Sequence, residues 1–242
     1  MRILIGDTGF VGQNLLSFMH FDKTYNSKTI KDFTKFDHDI DIYLACLPAT
    51  KWLVDKAPLD DLRNAENIVH ALKKNTYNNV YLFSTIDVYK RSTPLSNESV
   101  SPKFYGPSYG ANRYVFELYI RNNLQYRDIK VIRLPALFGP GLKKNILFDF
   151  KNNNQADKIN LNSAYQWYNM ERLEQDLNTI SSREFKIFNL FPEPVETVDI
   201  LGDEIGYYGD RIEYNFQTIH TPSGYWYDKK KSIKEIRKFL CK

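Results

Sequence analysis

Cysteine is scarce. The chain has two in 242 residues, Cys46 in an apolar run and Cys241 next to the last position. That supply gives no disulfide framework and no metal knuckle, and it suits a reducing compartment, the cytoplasm. The four histidines, His20, His38, His70 and His220, lack metal-ligand spacing, so surface or packing roles are expected and no metal. No run approaches the roughly 18 apolar residues of a membrane span, and the first apolar stretch is too short for a signal peptide. There is no internal repeat, and no low-complexity segment longer than Asn152–Asn154. Neither sign of charge dominates. Lys and Arg number 33 against 29 Asp and Glu, a formal charge of +4, which requires neither nucleic acid nor a membrane surface. Hydrophobic residues at 43% and charged residues at 26% exclude a disordered or fibrous chain. A chain of this length buries a core without staples.

What is present is alternation. Short apolar runs at Arg2–Ile5, Thr24–Tyr25, Ile40–Ala45, Asn79–Ser84 and Lys130–Leu134 read as strands. Amphipathic stretches at Val11–Met19, Asp60–Lys74 and Tyr109–Asn122 read as the helices between them. Strands alternating with helices imply an α/β fold, a Rossmann-type doubly wound parallel sheet. The texture changes after Gly139-Pro140-Gly141. Residues 1–141 are expected to form a dinucleotide-binding domain and 142–242 a smaller substrate lobe, with 185–206 returning to the first. In that return, Phe185–Phe191 reads as a strand and Thr197 as the cap of a helix reaching Ile205. A last helix is expected over Lys229–Leu240.

Gly6-Asp7-Thr8-Gly9-Phe10-Val11-Gly12 is a G-x-x-G-x-x-G turn between a strand and a helix. The first glycine allows the tight turn, the second lets the backbone approach a pyrophosphate, and the third lets helix pack on strand. The helix N-terminus adds free N–H groups and the positive end of its dipole. The second strand ends about 20 residues later, as a dinucleotide fold requires. There the usual ribose-binding acid is replaced by Asn26, followed by Ser27 and Lys28. Losing the carboxylate and gaining a lysine tilts the expectation slightly to NADP over NAD.

Thr85-Ile86-Asp87 places a hydroxyl and an acid at a strand C-terminus, the edge where open α/β sheets bind ligands. Tyr109 and Arg113 are four apart and share a helix face. A cation one turn from a phenol favours phenolate and lowers its pKa. With a hydroxyl to hold a substrate oxygen, these residues form an acid/base able to move a proton while a nicotinamide exchanges hydride.

On these residues the chain resembles the extended short-chain dehydrogenase/reductases of the nucleotide-sugar epimerase/dehydratase family. The family's glycine turn falls on Gly6, Gly9 and Gly12, and its Ser/Thr-x-x-Val-Tyr on Thr85–Tyr89. Its Tyr-x-x-x-Lys falls on Tyr109 and Arg113, and its Arg-x-x-Asn-x-x-Gly-Pro on Arg133–Pro140. The likeness is specific over the first 141 residues. Three features depart from it: Arg113 stands for the lysine, Ala136 for an asparagine, and the chain is short, with Asn26–Ile40 compressed. The resemblance implies that NAD or NADP is held by Gly6, Thr8, Gly9, Phe10, Val11 and Gly12, by Asn26, Ser27 and Lys28, by Ala45, Cys46 and Leu47, and by Tyr109, Arg113 and Pro135. It implies catalysis by Thr85, Tyr109, Arg113 and Asp87, and substrate contacts from Thr85, Asp87, Ala136, Lys144 and Asn145. Sugar 4,6-dehydratases carry Asp-Glu after the threonine. Ile86 cannot donate a proton, so dehydration of that type is disfavoured, and the resemblance implies an epimerase or keto-reductase acting on a nucleotide-activated sugar, in surface polysaccharide biosynthesis. The resemblance also implies a homodimer, through the helices Asp60–Lys74 and Tyr109–Asn122. A non-catalytic dinucleotide-binding module and a dehydrogenase of a small non-sugar carbonyl are the alternatives.

Overall fold

The computed structural model describes residues 1–241. In chain order the elements are β1 (Arg2–Ile5), α1 (Phe10–Phe18), β2 (Lys23–Tyr25), β3 (Asp41–Leu44), α2 (Lys51–Lys56), α3 (Pro58–Leu72), β4 (Thr76–Thr85), α4 (Tyr109–Asn123), β5 (Gln125–Leu134), β6 (Ala136–Phe138), α5 (Ile146–Lys151), β7 (Ser163–Tyr165), β8 (Trp167–Asn169), α6 (Leu173–Ser181), β9 (Ile187–Asn189), β10 (Val195–Glu196), α7 (Thr197–Leu201), β11 (Ile212–Glu213) and α8 (Lys229–Leu240). No helix among them is long and apolar enough to cross a membrane. The chain divides into two compact units. The first holds Met1–Tyr89, Ser101–Arg133 and Glu174–Phe188; the second holds Lys90–Val100, Leu134–Leu173 and the chain from Asn189. The main division falls at Arg133/Leu134, where sequence texture placed it after 141, because β6 pairs with β8 rather than continuing the large sheet.

The first unit is built on a six-stranded sheet in the order β2-β1-β3-β4-β5-β9. The β1–β2, β1–β3 and β3–β4 pairs are parallel. The chain reverses direction across the sheet between β1 and β3, which makes a crevice at their C-terminal ends. The strands are short apolar runs because both faces are covered. Ile3, Ile5, Ile42, Leu44, Val80, Leu82 and Val131 join Ile68, Val69 and Leu72 of α3 and Phe116 and Ile120 of α4 in one core. Burying each such side chain contributes roughly 1.5–3 kcal/mol. Helix α3 starts where sequence signals coincide, with Pro58 in its first turn and Asp60 and Asp61 against the positive dipole end. Ser108 caps α4 by accepting the Ala111 N–H at 3.4 Å.

The stretch that returns to the first unit is Glu174–Phe188 rather than 185–206, because most of α6 and of β9 lies in that unit while the chain from Asn189 belongs to the second. Two local expectations also change. The six-residue α2 was not read from the sequence; it leaves Trp52 and Leu53 exposed and carries no apolar stripe to betray it. Thr197 does not cap a helix reaching Ile205. It is the first residue of α7, which ends at Leu201 because Gly202 takes φ +77°.

The second unit holds a β10-β7-β11 sheet and the β6–β8 pair. Phe138, Leu147, Trp167, Val195, Ile200 and Ile236 form its main core. The buried Gln166 amide staples it, donating to the carbonyls of Pro192 and Phe216 at 2.7 and 2.8 Å and accepting the Phe216 N–H at 2.9 Å.

Candidate active site

The glycine turn closes on itself and on the neighbouring strand. Gly6 takes φ +103°, and its N–H donates to Tyr25 O at 2.7 Å. A Cβ at Gly6 would stand 2.1 Å from Ala45 O, and one at Gly12 would stand 2.0 Å from Gly6 O. Both positions are therefore glycine for reasons internal to the fold. Gly9 differs. The nearest atom to a Cβ there is Gly6 O at 3.5 Å, an ordinary contact. Nothing in the protein itself excludes a side chain at Gly9, and the space beside it lies at the N-terminus of α1. That end carries no side-chain cap and no acid in its first turn. Half-buried Phe10 and Val11 begin the helix, and Thr8 is exposed in the turn. This cradle fits an anionic phosphate group.

At the end of β2, Asn26 is turned into the protein. Its Oδ1 accepts the Lys28 N–H at 3.0 Å, and its amide lies 3.2 Å from Asp7 Oδ1. Ser27 and Lys28 are exposed. Asp7 thus brings to this edge the carboxylate that position 26 lacks. The sequence reading passed over it because it sits among the glycines, about 20 residues from where the acid is sought.

After β3, Ala45 donates its N–H to Ile5 O at 2.9 Å and presses its carbonyl on Gly6. Burial pushes the Cys46 thiol up to about 12, so it is neither thiolate nor nucleophile at neutral pH. Leu47 packs against the core of the first unit.

Thr85, Asp87, Tyr109 and Arg113 come together in the first unit. Thr85 ends β4; its Oγ1 accepts the Asp87 N–H and donates to Asp87 Oδ2, both at 3.2 Å. The Asp87 carbonyl is packed so tightly on Gly110 that a Cβ there would approach it to 1.9 Å. Gly110 therefore sets how closely Tyr109 approaches this turn, a role no motif announced. The Tyr109 N–H donates to Asp55 Oδ1 at 2.8 Å.

Arg113 is not a solvated cation. It is 5% exposed, bonds both oxygens of Asp61 at 2.7 and 3.2 Å, and donates to Pro48 O at 2.5 Å. Its Cζ stands 4.6 Å from the Tyr109 ring centroid. Asn112 braces the same carboxylate at 3.0 Å. The sequence expects Arg113 to depress the tyrosine pKa, and the net effect is the reverse. Burial raises it; Arg113 and Lys51 pull it down and Asp87 pushes it up, but burial wins. Lys51 and Asp61 were both missed. Lys51 Nζ lies 2.5 Å from Asp87 Oδ1 and 5.8 Å from the Tyr109 ring centroid.

Beneath this cluster lies a buried network. Arg133 donates to both oxygens of Glu117 at 3.0 and 2.7 Å and to the Tyr89 hydroxyl at 2.6 Å, and Ser84 donates to Glu117 at 2.5 Å. It ties β4, α4 and β5 together under Thr85 and Tyr109.

The remaining candidates belong to the second unit. Pro135 is buried, and Ala136 pairs with Trp167 across β6–β8. Lys144 is exposed, and partial desolvation by its neighbours lowers its pKa. Asn145 is spent on the fold: its Oδ1 accepts the N–H groups of Leu147 and Phe148 at the start of α5, and its amide donates to Leu137 O at 2.9 Å.

No model of a known protein family matches the chain, and no curated protein does. Solved structures do. MoeE5 in complex with UDP-glucose and NAD is 12% identical, with a TM-score of 0.71 over 99% of this chain and 98% of that one. The NAD-dependent NDP-hexosamine 5,6-dehydratase TunA, involved in tunicamycin biosynthesis, is 14% identical, with a TM-score of 0.72 over 99% and 97%. dTDP-4-dehydrorhamnose reductase from Yersinia enterocolitica is 15% identical, with a TM-score of 0.68 over 99% and 98%. The doubly wound fold that the sequence resemblance implied is the fold of these enzymes.

Proposed function

We propose that this protein is a nicotinamide-dinucleotide-dependent enzyme acting on a nucleotide-activated sugar, as an epimerase or keto-reductase. The reading is carried by one arrangement: a half-buried phenol, Tyr109, beside Thr85 and Asp87 on the sheet edge where a glycine turn is shaped for a pyrophosphate. The substrate class is supported by the solved structures of the same fold, whose ligands and names include UDP-glucose and a dTDP-sugar reductase. The bound dinucleotide supplies hydride chemistry. Gly6, Gly9 and Gly12, with Thr8, Phe10 and Val11, hold its diphosphate. Thr85 Oγ1 positions the reacting sugar oxygen, Tyr109 Oη gives and takes its proton, and Arg113 fixes the phenol's orientation from Asp61. Ligand contacts from Pro135, Ala136 and Lys144 of the second unit are part of the proposal on the family resemblance alone. A cytoplasmic homodimer through α3 and α4, serving surface polysaccharide synthesis, completes the proposal.

The cofactor reading is refined to NAD. Asn26 and Lys28 pointed slightly to NADP, but the Asp7 carboxylate of the glycine turn, 3.2 Å from the Asn26 amide, would repel a 2′-phosphate and could accept a hydrogen bond from a 2′-hydroxyl.

Thermal unfolding against NAD, NADH, NADP and NADPH, each alone and with UDP-, GDP-, CDP- and dTDP-sugars, tests this. A ligand at 100 times its Kd adds about 2.7 kcal/mol. A shift with NAD and a further one with a nucleotide sugar is expected. Tyr109→Phe should keep the NAD shift and lose turnover by about 10²–10⁴-fold; full turnover in that variant overturns the mechanism. A second reading, a non-catalytic dinucleotide-binding module, is favoured by the commitment of Arg113 to Asp61 and Pro48. It predicts the NAD shift with no redox change on any sugar nucleotide.

A further inference from the structure

We propose that Lys51, outside the Tyr-x-x-x-Arg motif, is the adjustable cation of the site: it sets the protonation of Tyr109 from across the sheet edge, with Asp87 as the counter-ion that holds and releases it. The proposal rests on the reading of Tyr109 as the acid/base.

Two cations lie near the Tyr109 ring, and they differ in freedom. Arg113 is buried, and three of its five N–H groups are committed to Asp61 and to the Pro48 carbonyl. Its guanidinium is a fixed prop. The Lys51 side chain is 45% exposed, on a flexible stem, and it ends 2.5 Å from Asp87 and 5.8 Å from the ring. An ammonium on four methylenes moves between partners without breaking the fold, which a bidentate buried arginine cannot do. The charged groups facing Tyr109 come from four elements. Arg113 lies on α4 itself and Asp61 on α3. Lys51 and Asp55 lie on α2, and Asp87 in the turn Ile86–Val88 after β4. Asp55 is taken up by the Tyr109 backbone N–H. Arg113 also acts on the phenol, but its place is fixed by Asp61 and Pro48. The variable charge at the phenol is therefore the Lys51–Asp87 couple, whose two members act on it with opposite sign. Asp87 is bound on its other oxygen by Thr85. A substrate oxygen that draws the Thr85 hydroxyl away loosens Asp87 and changes the couple's balance at Tyr109. Lys51 acts through the phenol and is thus a positioning residue.

The test follows the Tyr109 phenol in the apoprotein by ¹³Cζ-tyrosine NMR against pH, its signal identified by loss in Tyr109→Phe. Lys51→Met should raise its titration point by about one pH unit, because Asp87 is left uncompensated. Asp87→Asn should lower it by a similar amount, because Lys51 is freed. Lys51→Arg should stay within about a third of a unit of wild type. Opposite shifts in the two variants support the proposal. If both shift alike, the pair is a structural tie and the proposal fails; it fails equally if Lys51→Met leaves the titration unmoved. The functional reading is scored separately by the NAD melting shift and by turnover in Tyr109→Phe. Lys51 can fail while that reading stands, and the titration is decided whatever the cofactor does. In the loaded enzyme, Lys51→Met should move the alkaline limb of the kcat profile upward with KM for the nucleotide sugar unchanged.

Discussion

The Arg133–Glu117 pair makes the sharpest stability prediction. Its side chains are 1% and 0% exposed, and two charge-assisted bonds of 3.0 and 2.7 Å join them. Glu117→Gln keeps the shape and removes the charge. The guanidinium is then left buried, with the Tyr89 hydroxyl still 2.6 Å away but no anion. Breaking one partner of a buried pair costs about 3–5 kcal/mol, mostly as the stranded charge. Coulomb attraction of about 4 kcal/mol at 4 Å, at an effective dielectric of 20, agrees with that range. At about 2–4 °C per kcal/mol for a chain of this size, the melting temperature should fall by roughly 6–20 °C in circular dichroism. The companion Glu117→Leu/Arg133→Met removes both charges and should recover at least half the loss, because no charge is stranded. A single variant within about 1 kcal/mol of wild type would refute the reasoning. So would a double variant less stable than the single, since the cost would then lie in lost packing.

The glycine turn gives a paired expectation. Gly6→Ala should destabilise the fold, because its Cβ meets Ala45 O at 2.1 Å and its φ of +103° adds about 1–3 kcal/mol of strain. Gly9→Ala should melt within about 1 kcal/mol of wild type yet lose most of its NAD-induced shift, since its Cβ meets only the space that phosphate needs. Equal melting losses in the two variants would sink that distinction. High pH should expose the buried tyrosines. Burial raises the pKa of Tyr43, Tyr77 and Tyr81 above the ordinary phenol value of about 10. These phenols thus stay protonated in the fold where the unfolded chain has lost its protons. Their stabilisation is complete below about pH 10 and declines as pH rises above it. Urea midpoints measured at pH 8, 10 and 11 should hold between the first two and fall at the third; a midpoint that rises at pH 11 would contradict the burial argument.

Much of the first unit was legible because its constraints are local. A strand buried on both faces must be apolar, and so Arg2–Ile5, Ile40–Ala45 and Asn79–Ser84 were readable. A turn with positive φ, pressed on a neighbouring carbonyl, must be glycine. Helix α8 was read at Lys229–Leu240, because its apolar residues recur on one face from a solvated lysine start. Thr85, Asp87, Tyr109 and Arg113 could be placed together because two motifs fall on one sheet edge. The missing pieces are those whose meaning is a distant partner. Asp61 looks like an ordinary helix-start acid until Arg113, 52 residues on, closes on it. Lys51 opens a six-residue helix with no apolar stripe, and its partner Asp87 is 36 residues away. Asn145 looks like a ligand-facing amide until its three hydrogen bonds are seen to hold α5 and Leu137.

Arg113, where the resembled motif has a lysine, then has a physical reading that no motif comparison supplies. A lysine at 113 would carry one compact charge, with no planar fork for both Asp61 oxygens and the Pro48 carbonyl. Arginine fills all three acceptors, and the step is irreversible in a structural sense. Once Asp61 is buried against a bidentate partner, removing that partner strands a carboxylate. Position 113 is thereby recruited to the fold. On the proposed reading, a tyrosine that exchanges a proton needs a second, movable charge within reach, and Lys51 on α2 is the one proposed. Arg113→Lys discriminates between the two roles. It should destabilise the protein by about 1–3 kcal/mol, through the acceptors it leaves unpaired, and move the Tyr109 titration far less than Lys51→Met does. A variant as stable as wild type, with the larger titration shift, would return the tuning of the phenol to position 113.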